Sequence, residues 1–216
     1  MLEGMFESLD ESLRPFVYAL IFAFGFVLGS IPFGYIIPKA VAGIDIRKFG
    51  SGNVGATNVT RALGLKWGSL VFVLDTLKGF FPVLLVRLMV PYNVELALAT
   101  GLAPILGHVF TPFLGFKGGK GVATSLGVFL ALSPVGVLLG LIVWILTVLL
   151  TGYVSLGSLL GSLFTFLWIL FLDPNKSSLP FVVTSALVVI LIWFRHRENI
   201  KRLVRGKEPK IWEKKG

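Results

Sequence analysis

Apolar runs of membrane-crossing length recur along this chain into its last quarter, and no other feature limits the possible folds so strongly. Helices rise about 1.5 Å per residue, so roughly 20 apolar residues cross the hydrocarbon core of a bilayer. Seven candidate runs stand between polar breaks, at about 16–38, 67–90, 94–116, 122–133, 135–151, 154–172 and 180–196. Hydrophobic residues make up 55% of the 216 and charged residues 14%, with a mean hydropathy of +0.87; soluble domains of this length do not show that balance. A signal peptide on a soluble domain does not explain the pattern, because apolar runs continue long after the first. The sequence predicts an all-α integral membrane protein, a single bundle of seven transmembrane helices forming one domain over 1–216. Residues 1–14 read as an N-terminal extension and 197–216 as a basic tail.

The fourth run, VATSLGVFLALS, is short for a crossing, and charge decides how to read it. Lys and Arg concentrate in cytoplasmic loops. With seven spans and the N-terminus outside, the inside segments hold Lys39, Arg47, Lys48, Arg61 and Lys66, then Lys117 and Lys120, then nine cations from Arg195 to Lys215. Outside lie only Arg14, Arg87 and Lys176, while Lys78 falls within a span. If the fourth run did not cross, the nine-cation tail would change sides. The rule therefore favours a full crossing, through a locally thinned bilayer. The acidic N-terminus, with Glu3, Glu7, Asp10 and Glu11, carries little weight in this count.

The formal charge of +9 follows from this bias and from attraction of the tail to anionic lipid headgroups. Membrane lipids are thus expected partners. Nucleic acid is not, since no basic module interleaved with aromatics stands outside the membrane. The absence of cysteine removes disulfides, thiolate nucleophiles and sulfur-ligated metals, and His108 and His196 are too far apart in sequence to suggest a metal site. No cofactor is expected.

Residues 49–64 read FGSGNVGATNVTRALG, with Gly50, Gly52 and Gly55 at G-x-G-x-x-G spacing. A dinucleotide fingerprint needs a strand before it and a helix after it. Here a transmembrane run and the segment DIRKF precede it, so the nucleotide reading falls. The local physics survives: small residues let backbone N–H groups converge on an anion, and a following helix adds its own donors. ATNVTRAL, closed by Gly64, predicts a short interfacial helix with Thr57, Asn58 and Arg61 on one face, suited to a phosphate. A second loop, GFKGGKGVATS at 115–125, repeats the theme with Lys117 and Lys120 among four glycines. It lacks Walker A spacing, so ATP hydrolysis is not implied. The charge count places both loops and the tail on one side of the membrane, which points to a polyanionic substrate.

These segments carry a resemblance. GSIPFGYII, FGSGNVGATNVTRALG, LDTLKGFFPV, GHVFTPFLGFKGGKGVAT, SLGS and ENIKRLVRGKE occur in that order. The chain so resembles the acyl-phosphate-dependent glycerol-3-phosphate acyltransferases of bacterial membranes, the PlsY family. The resemblance implies seven transmembrane helices, an outside N-terminus and an active site at the cytoplasmic face of the inner membrane. It also implies acyl transfer from acyl phosphate to the 1-hydroxyl of glycerol 3-phosphate, giving lysophosphatidic acid and inorganic phosphate.

The residues suit that chemistry. An acyl phosphate is a mixed anhydride with a good leaving group, so no covalent enzyme intermediate is needed, and neither a G-x-S-x-G elbow nor an H-x-x-x-x-D pair occurs. Charge neutralisation and positioning then carry catalysis. Ser51, Asn53, Thr57, Arg61 and Lys120 form the expected phosphate cradle, with backbone donors from Gly52, Gly118 and Gly119 and with Asn58 beside Arg61. Lys120 is expected to span both phosphates. For the hydroxyl proton two acceptors stay open: His108, a general base by its ordinary pKa, and, as the resemblance implies, the phosphate of glycerol 3-phosphate, which titrates at about 6 to 7.

Asp75 and Lys78, three apart inside the second run, are read as an intrahelical pair that neutralises itself. Ser155 and Ser158 share a helix face, either lining the substrate pocket or letting helices pack closely. His196, Asn199 and Glu208 join the substrate-binding set, Asn199 orienting loop or substrate and Glu208 anchoring a nearby Arg or Lys. Gly29, Ser30 and Gly34 are assigned to packing. The competing reading is a transporter of an organic phosphate, since two weakly similar glycine-rich loops with cations can gate an anion path. Against it, the charges gather at one membrane face instead of at the midplane.

Overall fold

A computed structural model describes residues 10–90 and 93–212, all of whose regular elements are helical. The N-terminal extension as far as residue 9, with Glu3 and Glu7, and the last four residues, with Lys214 and Lys215, lie outside the described residues. The helices are α1 (Arg14–Ser30), α2 (Phe33–Ala42), α3 (Ala56–Leu63), α4 (Leu65–Met89), α5 (Val94–Val109), α6 (Val122–Leu132), α7 (Pro134–Thr151), α8 (Val154–Phe171), α9 (Leu179–Arg195) and α10 (Arg197–Val204). They form two compact units, Met1–Leu132 and Ser133–Gly216.

Among the described residues five stretches are long and apolar enough to cross a membrane: Arg14–Ala42, Leu65–Met89, Val94–Leu114, Pro134–Thr151 and Val154–Phe171. The pair α9 and α10, bent by 59° at their junction, makes a sixth when the two are counted as one span. Each of the seven predicted runs is helical, and the short interfacial helix ends at Gly64, whose φ of 87° suits a residue without a side chain. α6 has 11 residues, about 16 Å at helical rise. It is therefore shorter than the hydrocarbon core is thick.

In the first unit small residues set the packing. Gly25 and Gly29 of α1 lie against Ala103 and Pro104 of α5, and Gly107 of α5 lies against Phe26 and Ser30. Such approaches are how transmembrane helices gain contact where lipid gives no hydrophobic drive. α4 and α6 run alongside each other in the same direction, since Gly79 packs on Thr124 while Val83 and Val128 both meet Gly101 of α5. α6 thus begins level with Gly79, about 21 Å along α4 from its first residue. α5 ends at the same level, where His108 meets Lys78 at 2.9 Å. Both ends of the second glycine loop are consequently held halfway along α4.

α1 also stops at this level. The chain breaks between Ser30 and Phe33 because Pro32 has no N–H to continue the ladder. The first apolar run is therefore two helices. Carbonyls at the break find side-chain donors: Thr111 Oγ1 donates to Ser30 O at 2.7 Å and Lys78 Nζ to Ile31 O at 2.9 Å. Backbone groups in an apolar slab need such partners.

In the second unit, Gly136, Gly140, Gly157 and Gly161 let α7 and α8 pack backbone to backbone, with Trp168, Thr165 and Trp144 filling the neighbouring space. The chain after α10 returns to the α7–α8 turn, where Ile211 N–H donates to Gly152 O at 2.9 Å and the Trp212 ring covers Gly152.

Candidate active site

The first glycine loop is held by one side chain. Asn58 is 1% exposed, and its amide nitrogen donates to Ile46 O (3.2 Å), Phe49 O (3.0 Å) and Asn53 O (3.0 Å). Its Oδ1 accepts from Ser51 N–H at 3.1 Å. The spacing that put Asn58 on a face with Arg61 suggested a substrate contact; the structure turns it into the loop instead. An amide offers two donors and one acceptor oxygen, and here all are engaged. Before the loop, Asp45 caps a short 3-10 turn (Ile46–Lys48) and pairs with Arg47 at 2.8 Å. The side-chain hydrogen bond from Arg47 draws the Asp45 carboxyl down to about 2. Arg47 in turn stacks 4.8 Å over the Tyr35 ring.

The two glycine loops share one apolar floor. Leu114, just ahead of Gly115 in the second loop, is buried in the same cluster as Ile46, Val54 and Val59 of the first loop and Val71 of α4. Of the predicted cradle, Ser51 is exposed, and Gly52, Asn53, Thr57, Arg61 and Lys120 are partly exposed. The second loop docks on the end of α5 through Gly118 N–H to Val109 O and Gly119 N–H to His108 O, each 3.1 Å. Both glycines are buried, and a Cβ at Gly119 would run into the His108 ring. The structure thus brings both glycine loops of the predicted cradle together.

Sequence reasoning missed the group beneath them. Asp75 Oδ1 and Lys78 Nζ are 2.7 Å apart, as an i, i+3 pair should be, but the pair is shared: Lys78 Nζ also lies 2.9 Å from His108 Nδ1. These three, with Ile31, Gly34, Val54 and Thr111, line a narrow cleft. The available signal was two ionisable residues inside an apolar run. Among the described residues no three His, Asp or Glu side chains gather as a metal ligand set.

The second unit contains its own polar cluster. Glu208 is 6% exposed, and its Oε1 accepts from Ser155 Oγ (2.7 Å) and Asn199 Nδ2 (2.6 Å) while Oε2 accepts from Arg202 Nε (2.7 Å). Glu208 does anchor an arginine, as expected. Burial disfavours its charge, but the bonds from Asn199, Ser155 and Arg202 outweigh burial and hold the carboxyl below its ordinary range. Ser155, Asn199 and Glu208, expected in the substrate-binding set, are thus bonded to one another. Ser158 Oγ donates to Val154 O at 2.9 Å, and His196 Nδ1 lies 2.8 Å from Ile192 O as its donor.

The family model for glycerol-3-phosphate acyltransferase matches residues 19–206. The chain belongs to the glycerol-3-phosphate acyltransferase family. It is 47% identical over 203 residues to the glycerol-3-phosphate acyltransferase of Desulfotalea psychrophila, covering 93% of this chain and 99% of that one. With the Aquifex aeolicus protein of the same name it shares 49% over 188 residues, 87% of this chain and 96% of that one. A crystal structure of PlsY, an integral membrane glycerol 3-phosphate acyltransferase, in its glycerol 3-phosphate form superposes with a TM-score of 0.85 at 45% identity. It covers 90% of this chain and 95% of that chain. The lysophosphatidic acid form gives 0.82 with the same identity and coverage. This glycerol-3-phosphate acyltransferase therefore has its glycine loops, the part of the sequence suited to phosphate, within one packed unit.

Proposed function

We propose that this membrane enzyme transfers a fatty acyl group from an acyl phosphate to the 1-hydroxyl of glycerol 3-phosphate. The products are lysophosphatidic acid and inorganic phosphate, which places the reaction in phospholipid synthesis. The observation that carries this reading is the shared floor, with Leu114 beside Ile46, Val54 and Val59, which sets two anion-suited loops next to each other. Two phosphates have to be neutralised together for this reaction, and Arg61 and Lys120 supply the cations. Arg suits a bidentate contact and Lys a point charge.

In the reaction the glycerol hydroxyl oxygen attacks the acyl carbonyl, the bond from that carbonyl carbon to the phosphate oxygen breaks, and inorganic phosphate leaves. Lys120 stabilises the charge gathering on the departing group. Ser51, Asn53 and Thr57, with the N–H groups of Gly52, Gly118 and Gly119, complete the cradle. The hydroxyl proton passes to the phosphate of glycerol 3-phosphate. His108 is poorly placed to take it, because its Nδ1 already faces the Lys78 ammonium.

The same reading gives the chain seven crossings in a bacterial inner membrane, with the N-terminus outside and the loops and tail in the cytoplasm. α6 completes a crossing whose other half is the second glycine loop. Irregular backbone at that depth is tolerated where it lines a wet inlet, which is what a water-soluble glycerol 3-phosphate needs. The anionic lipid surface holds the basic tail.

The test is purified protein in vesicles given acyl phosphate and labelled glycerol 3-phosphate, with acyl-CoA and acyl carrier protein thioesters as parallel donors. Lysophosphatidate and phosphate formed from acyl phosphate alone support the reading. Equal use of the thioesters, or uptake of label without covalent change, refutes it.

A further inference from the structure

One ammonium meets three electron-rich groups in the cleft under the glycine loops, two in hydrogen-bond contact and one as an ion pair. Lys78 Nζ has Asp75 Oδ1 at 2.7 Å, Ile31 O at 2.9 Å and His108 Nδ1 at 2.9 Å. A lysine ammonium donates and cannot accept, so His108 Nδ1 receives through its lone pair. The imidazole proton then sits on Nε2. Protonating Nδ1 as well would set two cations 2.9 Å apart, closer than the 3.6 Å that separates Nδ1 from Asp75 Oδ1. Burial leaves no water to screen that repulsion, since Lys78 is 4% and His108 7% exposed. Besides His108, the titratable residues lining the cleft are Asp75 and Lys78, both from α4; α1, α2 and the loops contribute Ser30, Phe33, Val54 and Thr111.

The other edge of the ring is aimed. Gly119 lies directly against Nε2, and its N–H is bonded to the His108 carbonyl. Lys120, the cation assigned to the leaving phosphate, is the next residue. We propose that Asp75 and Lys78 are positioning residues for acyl transfer: they lock His108 as the neutral Nε2–H tautomer, and the locked ring sets the seat of Gly119 and hence of Lys120. The ring does not shuttle a proton. This rests on the acyl-transfer reading for its purpose, but the tautomer is a property of the resting protein.

The decisive measurement is 15N NMR of histidine-labelled protein in lipid, with the two ring systems distinguished by His108→Asn. The expected wild-type spectrum at neutral pH shows His108 with an unprotonated Nδ1 and a protonated Nε2. Lys78→Met removes the donor, so His108 there shows mixed tautomers. In turnover, Lys78→Met has a kcat at least tenfold lower than wild type. His108→Gln, which can keep a donor near the Nε2 position, retains more activity than His108→Asn, which keeps only the acceptor for Lys78.

A wild-type His108 that carries a proton on Nδ1, alone or with Nε2, overturns the proposal without need of any variant. So does a Lys78→Met spectrum identical to wild type. If instead the tautomer is as stated but acyl phosphate and glycerol 3-phosphate give no product, the lock stands and the acyl-transfer reading fails.

Discussion

The guanidinium of Arg87, near the end of α4, donates to the carbonyl oxygen of Ala131 at 2.7 Å, with that of Leu132 at 3.5 Å. These are the closing carbonyls of α6, which have no partner in the helical ladder. A short helix that ends in an apolar medium needs a donor from elsewhere, and Arg87 is it. Arg87→Leu is expected to lower stability by about 1.5–3 kcal/mol, the range for hydrogen bonds to a charged group. Unfolding followed by intrinsic fluorescence in mixed micelles measures this. An unchanged midpoint in Arg87→Leu means that the carbonyls find other partners.

Asn58 separates scaffold from substrate contact in the first loop. Asn58→Asp keeps the acceptor for Ser51 but sets carboxylate oxygens against the carbonyls of Ile46, Phe49 and Asn53. Like partial charges then repel, so Asn58→Asp is expected to be less stable than Asn58→Ala, with activity lost in both. A direct phosphate ligand would behave differently, since Asn58→Ala would raise the glycerol 3-phosphate KM in a protein as stable as wild type.

The amount of this architecture that sequence revealed depended on the distance over which each signal acts. α4 was expected at 67–90 and runs Leu65–Met89, because hydropathy and helix-ending glycine are local. ATNVTRAL was legible for the same reason. The break at Ile31 was passed over, although Pro32 marks it, because a hydropathy window averages across a single residue. The bonds from Asn58 into the loop were not legible, because i, i+3 spacing says which residues share a face but not which way a buried amide points. The link from Lys78 to His108 crosses 30 residues and two helices, and no local pattern encodes it.

Arg61 and Lys120 are expected to act on different quantities. Each charge-assisted contact to phosphate is worth about 1.5–3 kcal/mol, so removing one lowers kcat/KM by roughly 10- to 150-fold. For Lys120→Ala the loss falls chiefly on kcat, since charge on the departing phosphate grows in the transition state. For Arg61→Lys the loss falls on the glycerol 3-phosphate KM, because a point charge cannot replace a bidentate contact. Initial rates with both substrates varied give the split. Lys120→Ala within threefold of wild type removes its assigned role.

Glu208 makes the second unit acid-sensitive. Its carboxyl is held below the ordinary 4.5 in the folded protein. A group whose folded pKa is depressed contributes stability that is present above the unfolded value and disappears as pH falls through the folded one. Wild type should therefore lose stability from about pH 4.5 downward. Glu208→Gln should be less stable at neutral pH and approach wild type as pH falls. Thermal melts across that range report the convergence, and parallel curves for the two proteins rule out this carboxylate as the source.

Gly119 and His108 form a coupled pair. A side chain on Gly119 collides with the imidazole, so Gly119→Ala is expected to cut kcat/KM by more than about tenfold, or about 1.4 kcal/mol. The collision is with a ring, however, and removing the ring removes it. Residues in direct contact give non-additive effects. The double variant Gly119→Ala with His108→Ala should thus be no less active than His108→Ala alone. Losses that instead multiply would show that the alanine methyl damages the loop through some contact other than the histidine, and that the ring does not define where Gly119 sits.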